Sequence, residues 1–143
     1  MDKNKVLAAE LVLVNDRLKF SGKTGENEPV AIDYIPPLGD NLGYTSLELF
    51  LLSLSSCIAS SVLTFLRRMN KQISYFGINV QGFRKEQHPT CFSNILIEMN
   101  FKSPDLQTAD VEKVIKLSEE TYCPVWAMIK GNVQVENKIV INP

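Results

Sequence analysis

Between Glu48 and Arg67 the chain runs through eighteen residues, Leu49 to Leu66, without a charge. A stretch of this kind is either a membrane span or a helix that folded protein surrounds. Ser53, Ser55, Ser56, Ser60, Ser61 and Thr64 interrupt it, which favours the second account. Thr45 and Glu48 have capping-box spacing at its start. Arg67 and Arg68 suit the negative end of its dipole. At about 100° per residue, Ser53, Ser56, Cys57, Ser60 and Thr64 share one face. Leu51, Leu54, Ile58, Val62 and Phe65 share the other. The bulky face is expected to lie on a sheet. The small-residue face lets a second backbone come close. A chain of 143 residues is one domain, 1–143, with one helix of this type. The natural partner for the small face is therefore the same helix in a second copy.

The rest of the chain reads as strands around that helix. Strands are expected at Lys5–Val14, Arg17–Phe20 and Pro29–Ile35, with Asn15-Asp16 as a turn and Pro36-Pro37 as a stop. A loop over Leu38–Tyr44 leads into the helix. Lys71–Arg84 and Thr90–Phe101 form a hairpin through the charged loop Lys85–Pro89. Thr108 is expected to cap a helix carrying Val111, Val114, Ile115 and Ser118. Cys123 caps a last short helix, because Pro124 suits the first helical position. Gly131 ends that helix. Val133–Ile141 is the final strand. The order βββ-α-ββ-αα-β is an α+β pattern.

Charge and composition exclude several functions. Fifteen Lys+Arg stand against sixteen Asp+Glu, so no basic excess exists to neutralise a phosphate backbone, and no nucleic-acid partner is expected. One His and three Cys are too few for most zinc sites. A small odd number of cysteines, with no apolar leader after Met1-Asp2-Lys3-Asn4-Lys5, reads as a soluble cytoplasmic protein in a reducing compartment.

Candidate chemistry centres on the cysteines. Cys91 sits in a strand beside Phe92 and reads as a small buried hydrophobe. Cys57 lies deep in the apolar helix, where the same reading applies to it taken alone. Cys123 differs: a thiol at a helix N-terminus faces unpaired N–H groups that favour a thiolate. His88 beside Pro89 reads as a surface residue, and Glu48 reads most simply as the capping acid. Trp126 and Met128 read as core residues that would also wall a thiol.

The run Thr45-Ser46-Leu47-Glu48-Leu49-Phe50-Leu51-Leu52-Ser53-Leu54-Ser55-Ser56-Cys57 resembles the central helix of the OsmC/Ohr family of thiol-dependent organic-hydroperoxide reductases. Leu117-Ser118-Glu119-Glu120-Thr121-Tyr122-Cys123-Pro124-Val125 resembles the family's second cysteine segment. Pro89-Thr90-Cys91-Phe92-Ser93-Asn94-Ile95 resembles the hairpin between them. The element order agrees, so the resemblance covers essentially the whole chain and leans to the OsmC-like branch.

The resemblance implies an intertwined homodimer, with two long helices packed centrally and antiparallel sheets from both chains around them. It implies one cysteine pair per site at the interface. Cys57 takes the peroxidatic place and Cys123 the resolving one, although local physics favours the thiolate at Cys123. Phe50, Leu54 and Trp126 would wall an apolar substrate pocket. No cofactor is implied. A dithiol, with lipoyl-bound forms among the family's candidates, would reduce the disulfide. The family poises its thiolate with an Arg from the N-terminal sheet and a Glu near the helix start. Glu48 stands one residue past the Ohr-type position, which falls at Leu47. Arg17 is the only Arg in the N-terminal region, beside Lys19 and Lys23, and Arg84 lies on a later strand. The alternatives are a module that binds an apolar or acyl ligand without turnover and some other thiol chemistry. A pure binder needs no second cysteine.

Overall fold

The computed structural model describes residues 6–143. They form two compact units, one ending at Phe50 and one running from Leu51 to Pro143.

In the first unit, β1 (Glu10–Leu13), β2 (Phe20–Lys23) and β3 (Val30–Ile32) make an antiparallel sheet in that order. All three strands are shorter than their apolar runs suggest or are displaced from them. The start of the first expected strand, Lys5, lies outside the described residues. β1 extends only as far as its pairing, from Glu10 opposite Lys23 to Leu13 opposite Phe20. β2 begins where a strand was expected to end. The side-chain carbonyl of Asn15 accepts from the amides of Arg17 and Lys19 at 3.0 and 3.1 Å, which holds those residues in the turn.

β3 stops at Asp33, which the loop that follows wraps around. Its carboxylate is 3% exposed. It accepts from the amides of Tyr34 at 2.7 Å, Asp40 at 3.2 Å and Leu42 at 3.1 Å. Burial pushes its pKa up, but the three amides and Arg17 outweigh burial and hold it below the ordinary carboxylate value. Gly39 is required here, because a Cβ would collide with the Tyr34 carbonyl.

α1 (Ser46–Arg68) opens with the expected capping box. The Thr45 amide donates to Glu48 Oε1 at 2.8 Å, and the Glu48 amide donates to Thr45 Oγ1 at 3.3 Å. By length and composition the helix could cross a membrane. Its leucine face is instead folded into the protein, with Leu54, Ile58, Val62 and Leu66 fully buried. Each such side chain contributes about 1.5–3 kcal/mol, against about 1 kcal/mol for a cap, so this face fixes how the helix sits. Phe65 and Leu51, expected on the same face, are only half-buried. The small-residue face is exposed at Ser53, Ser56, Ser60 and Thr64. Its hydroxyls bond back into the helix: Ser56 to the Ser53 carbonyl, Ser60 to Ser56 and Thr64 to Ser60, at 3.0, 2.8 and 2.6 Å.

β4 (Tyr75–Arg84) and β5 (Phe92–Lys102) form the antiparallel hairpin. α2 (Thr108–Leu117), a π turn (Ser118–Tyr122) and α3 (Pro124–Ile129) follow, and β6 (Gln134–Ile141) closes the sheet beside β5. β6 runs parallel to β5, so this sheet is mixed rather than antiparallel. The long helical connection makes a parallel crossover possible. Ile95, Ile97, Met99 and Phe101 alternate along β5 and are fully buried, as are Val111 and Val114 of α2. The N-cap of α2 is Gln107 rather than Thr108, because Asp110 Oδ2 accepts from the Gln107 amide at 2.9 Å. Gly131, at φ +85°, follows α3 as expected.

Candidate functional site

Cys57 and Cys123 are 66 residues apart in sequence and meet in the second unit. The Cys123 thiol donates to Cys57 Sγ at 2.8 Å, and both sulfurs are free thiols. Two elements make this meeting. α1 delivers Cys57 at the border between its buried and exposed faces. The π turn delivers Cys123: a five-residue ring closes where the Cys123 amide donates to the Ser118 carbonyl at 2.9 Å. The backbone then extends at Cys123 (φ −95°, ψ 102°) before Pro124 starts α3. The pair belongs to a ridge. Cys57, Ser61 and Phe65 recur every four residues along α1 and face Cys123, Ser118 and Tyr122 in turn. Ser61 Oγ and Ser118 Oγ are 2.6 Å apart. The rings of Phe65 and Tyr122 are 4.7 Å apart, with the Arg68 guanidinium 5.4 Å from the Phe65 ring centre. Of these six residues, the sequence singles out the two cysteines and gives Ser61, Ser118, Phe65 and Tyr122 no part in the site. The four-residue spacing is the available signal, and Phe65, expected on the leucine face, lies in line with Cys57 against Tyr122.

The two thiols have different surroundings. Cys123 is 2% exposed, whereas Cys57 is half-exposed. Cys123 caps α3 as expected, its sulfur accepting from the Trp126 amide at 3.4 Å. The expected thiolate does not follow. Burial pushes the Cys123 pKa up, and its hydrogen bond to Cys57 adds to this, reaching about 11 despite the Trp126 amide. The Trp126 and Val125 amides at the start of a six-residue helix do not offset the loss of water. Cys123 is held as a thiol and acts as a hydrogen-bond donor toward Cys57.

The other expected site residues are otherwise engaged or buried. The Glu48 carboxylate bonds the Thr45 amide and hydroxyl, which lowers its pKa. Arg17 pairs with Asp40 and donates to the carbonyls of Pro37 and Gly39, so it clasps the loop that Asp33 organises. Leu54 is fully buried in the core. Trp126 is 3% exposed and borders a groove of about 580 Å3 with Ser93, Glu119 and Lys130. Phe50 is half-buried. Met128, expected in the core, is 79% exposed. Cys91 lies just before β5, its carbonyl accepting from the Lys85 amide at 2.8 Å.

Residues 39–138 match the family model described as OsmC-like protein. Protein YhfA of Escherichia coli strain K12 is 25% identical over 118 residues, covering 82% of this chain and 86% of YhfA. Among solved structures, a hypothetical protein from Aquifex aeolicus VF5 is similar at a TM-score of 0.83, with 26% identity and 96% of each chain covered. An organic hydroperoxide resistance protein OsmC from Legionella pneumophila is similar in fold at a TM-score of 0.71, with 14% identity, covering 97% of this chain and 99% of that one.

Proposed function

Since the chain belongs to the OsmC-like protein family, we propose that it reduces organic hydroperoxides with Cys57 and Cys123 as a redox pair. The observation that carries this reading is the 2.8 Å approach of two free thiols of unequal exposure. The hydroperoxide resistance protein of similar fold supports the choice of substrate class.

Half-exposed Cys57 is the sulfur that a peroxide reaches, and the donated Cys123 S–H stabilises negative charge on it. The Cys57 thiolate attacks the peroxide oxygen and breaks the O–O bond. The alkoxide leaves and takes up a proton as an alcohol, and Cys57 becomes a sulfenic acid. The Cys123 sulfur then attacks Cys57 Sγ. The S–S bond forms, and the Cys57 hydroxyl leaves as water with the Cys123 proton. A dithiol, lipoyl-bound forms included, takes the disulfide by exchange, is itself oxidised, and restores both thiols. Glu48 and Arg17 need not be free for this sequence, because Cys123 supplies a hydrogen bond to the attacking sulfur. The reading includes a soluble homodimer joined through the small-residue face of α1. It also places the protein in a reducing cytoplasm, where cysteines return to thiols between turnovers.

Consumption of cumene hydroperoxide in the presence of a dithiol tests it. The wild-type protein consumes peroxide catalytically, and Cys57→Ser abolishes this. Cys123→Ser completes one turnover and leaves a trappable sulfenic acid at Cys57. A sulfenic acid at Cys123 in the Cys57→Ser protein would reverse the assignment. No consumption by the wild type would favour a ligand-binding module.

A further inference from the structure

The geometry points to Ser61 and Ser118 as positioning residues that set the distance between the two sulfurs. This rests on the proposed use of Cys57 and Cys123 as a redox pair. Ser61 lies one helical turn beyond Cys57 on the same side of α1. Ser118 opens the π turn, and its carbonyl accepts the Cys123 amide at 2.9 Å. The hydroxyl contact of 2.6 Å therefore links the element that carries one sulfur to the ring that carries the other. Both ends of the link lie within one turn of a thiol.

Each of the two hydroxyls also has a backbone carbonyl within reach. Ser118 is fully buried and donates to the Val114 carbonyl at 2.9 Å. Each hydroxyl has one proton, and either serine can be the donor in the contact between them. The Ile58 carbonyl, 3.1 Å from Ser61 Oγ, is the alternative acceptor if Ser118 Oγ is removed. If Ser61 Oγ is removed, Ser118 keeps Val114. Either serine can thus be truncated without leaving the other hydroxyl unsatisfied. What is lost is the tie between α1 and the π turn. A π turn at a functional position holds one residue more than an α turn, and nothing in its own ladder sets its register against a neighbouring helix. The serine pair, with Ser118 fully buried, supplies that register. Ser74, just before β4 and on neither linked element, donates instead to the Lys102 carbonyl at 3.0 Å.

The test reads thiol–disulfide equilibrium in glutathione buffers, using the full chain and no peroxide. Ser61→Ala and Ser118→Ala are each expected to lower the equilibrium constant for closing Cys57–Cys123 by about tenfold, which for this two-electron couple is about 30 mV. The double variant lowers it no further, because the residues act as one unit. Ser74→Ala leaves it unchanged. Full wild-type closure in both single variants would overturn the inference, as would additive losses in the double variant. A wild-type protein that closes the disulfide yet consumes no hydroperoxide would overturn the peroxidase reading and leave the positioning role standing. A wild-type protein that does not close it would overturn both.

Discussion

At the scale of the residue, Cys123 shows how two local rules compete. A thiol at a helix N-terminus meets donors that favour its charged form, and the sequence pattern Cys123-Pro124 advertises that position. Burial opposes this and wins: at 2% exposure the pKa stands at about 11. The consequence for stability has a definite sign. The folded state holds the Cys123 proton more tightly than the unfolded chain, whose thiols titrate near about 8.5. The stabilisation is complete below that value and is lost as pH rises through about 11. The reduced protein is therefore expected to melt progressively lower between those limits in calorimetry. At about pH 8, iodoacetamide should alkylate half-exposed Cys57 before Cys123. Labelling in the opposite order would contradict the burial argument. Burial was not legible around Cys123, because it comes from α1 and the π turn meeting across 66 residues of chain. The role of Asp33 is not legible for a similar reason, since its three amide partners are arranged by the loop and not by any motif.

At the scale of the element, the order of strands and helices was legible throughout. The capping box at Thr45 and Glu48, the proline at the start of α3 and Gly131 after it are chemical signals that act within a few residues. Strand ends were less legible. Apolar content marks where a strand is possible, while pairing decides where it stops. The register of β1 against β2 shortens the Lys5–Val14 run to Glu10–Leu13. The π turn left no readable trace, because Leu117 to Tyr122 has ordinary helical composition and only the return of the Cys123 amide to Ser118 defines the wider ring. The direction of β6 was also not legible, since hydrophobic alternation is the same for parallel and antiparallel neighbours.

At the scale of the whole molecule, the exposed face of α1 argues for a second copy. Ser53, Ser56, Ser60 and Thr64 are small, and three of their hydroxyls are satisfied by carbonyls of their own helix. A surface of this kind meets another backbone closely without stranding polar groups. An obligate dimer of the 16.1 kDa chain is therefore expected by light scattering at micromolar concentration, and a single-chain mass would contradict it. The proposed redox pair is Cys57 and Cys123, two thiols 2.8 Å apart, with Cys91, just before β5, left out of it. Peptide mapping by mass spectrometry after one equivalent of organic hydroperoxide tests it most directly. A Cys57–Cys123 disulfide within one chain is expected, with Cys91 still a free thiol. A bridge containing Cys91, or Cys57 and Cys123 both still reduced, would contradict it.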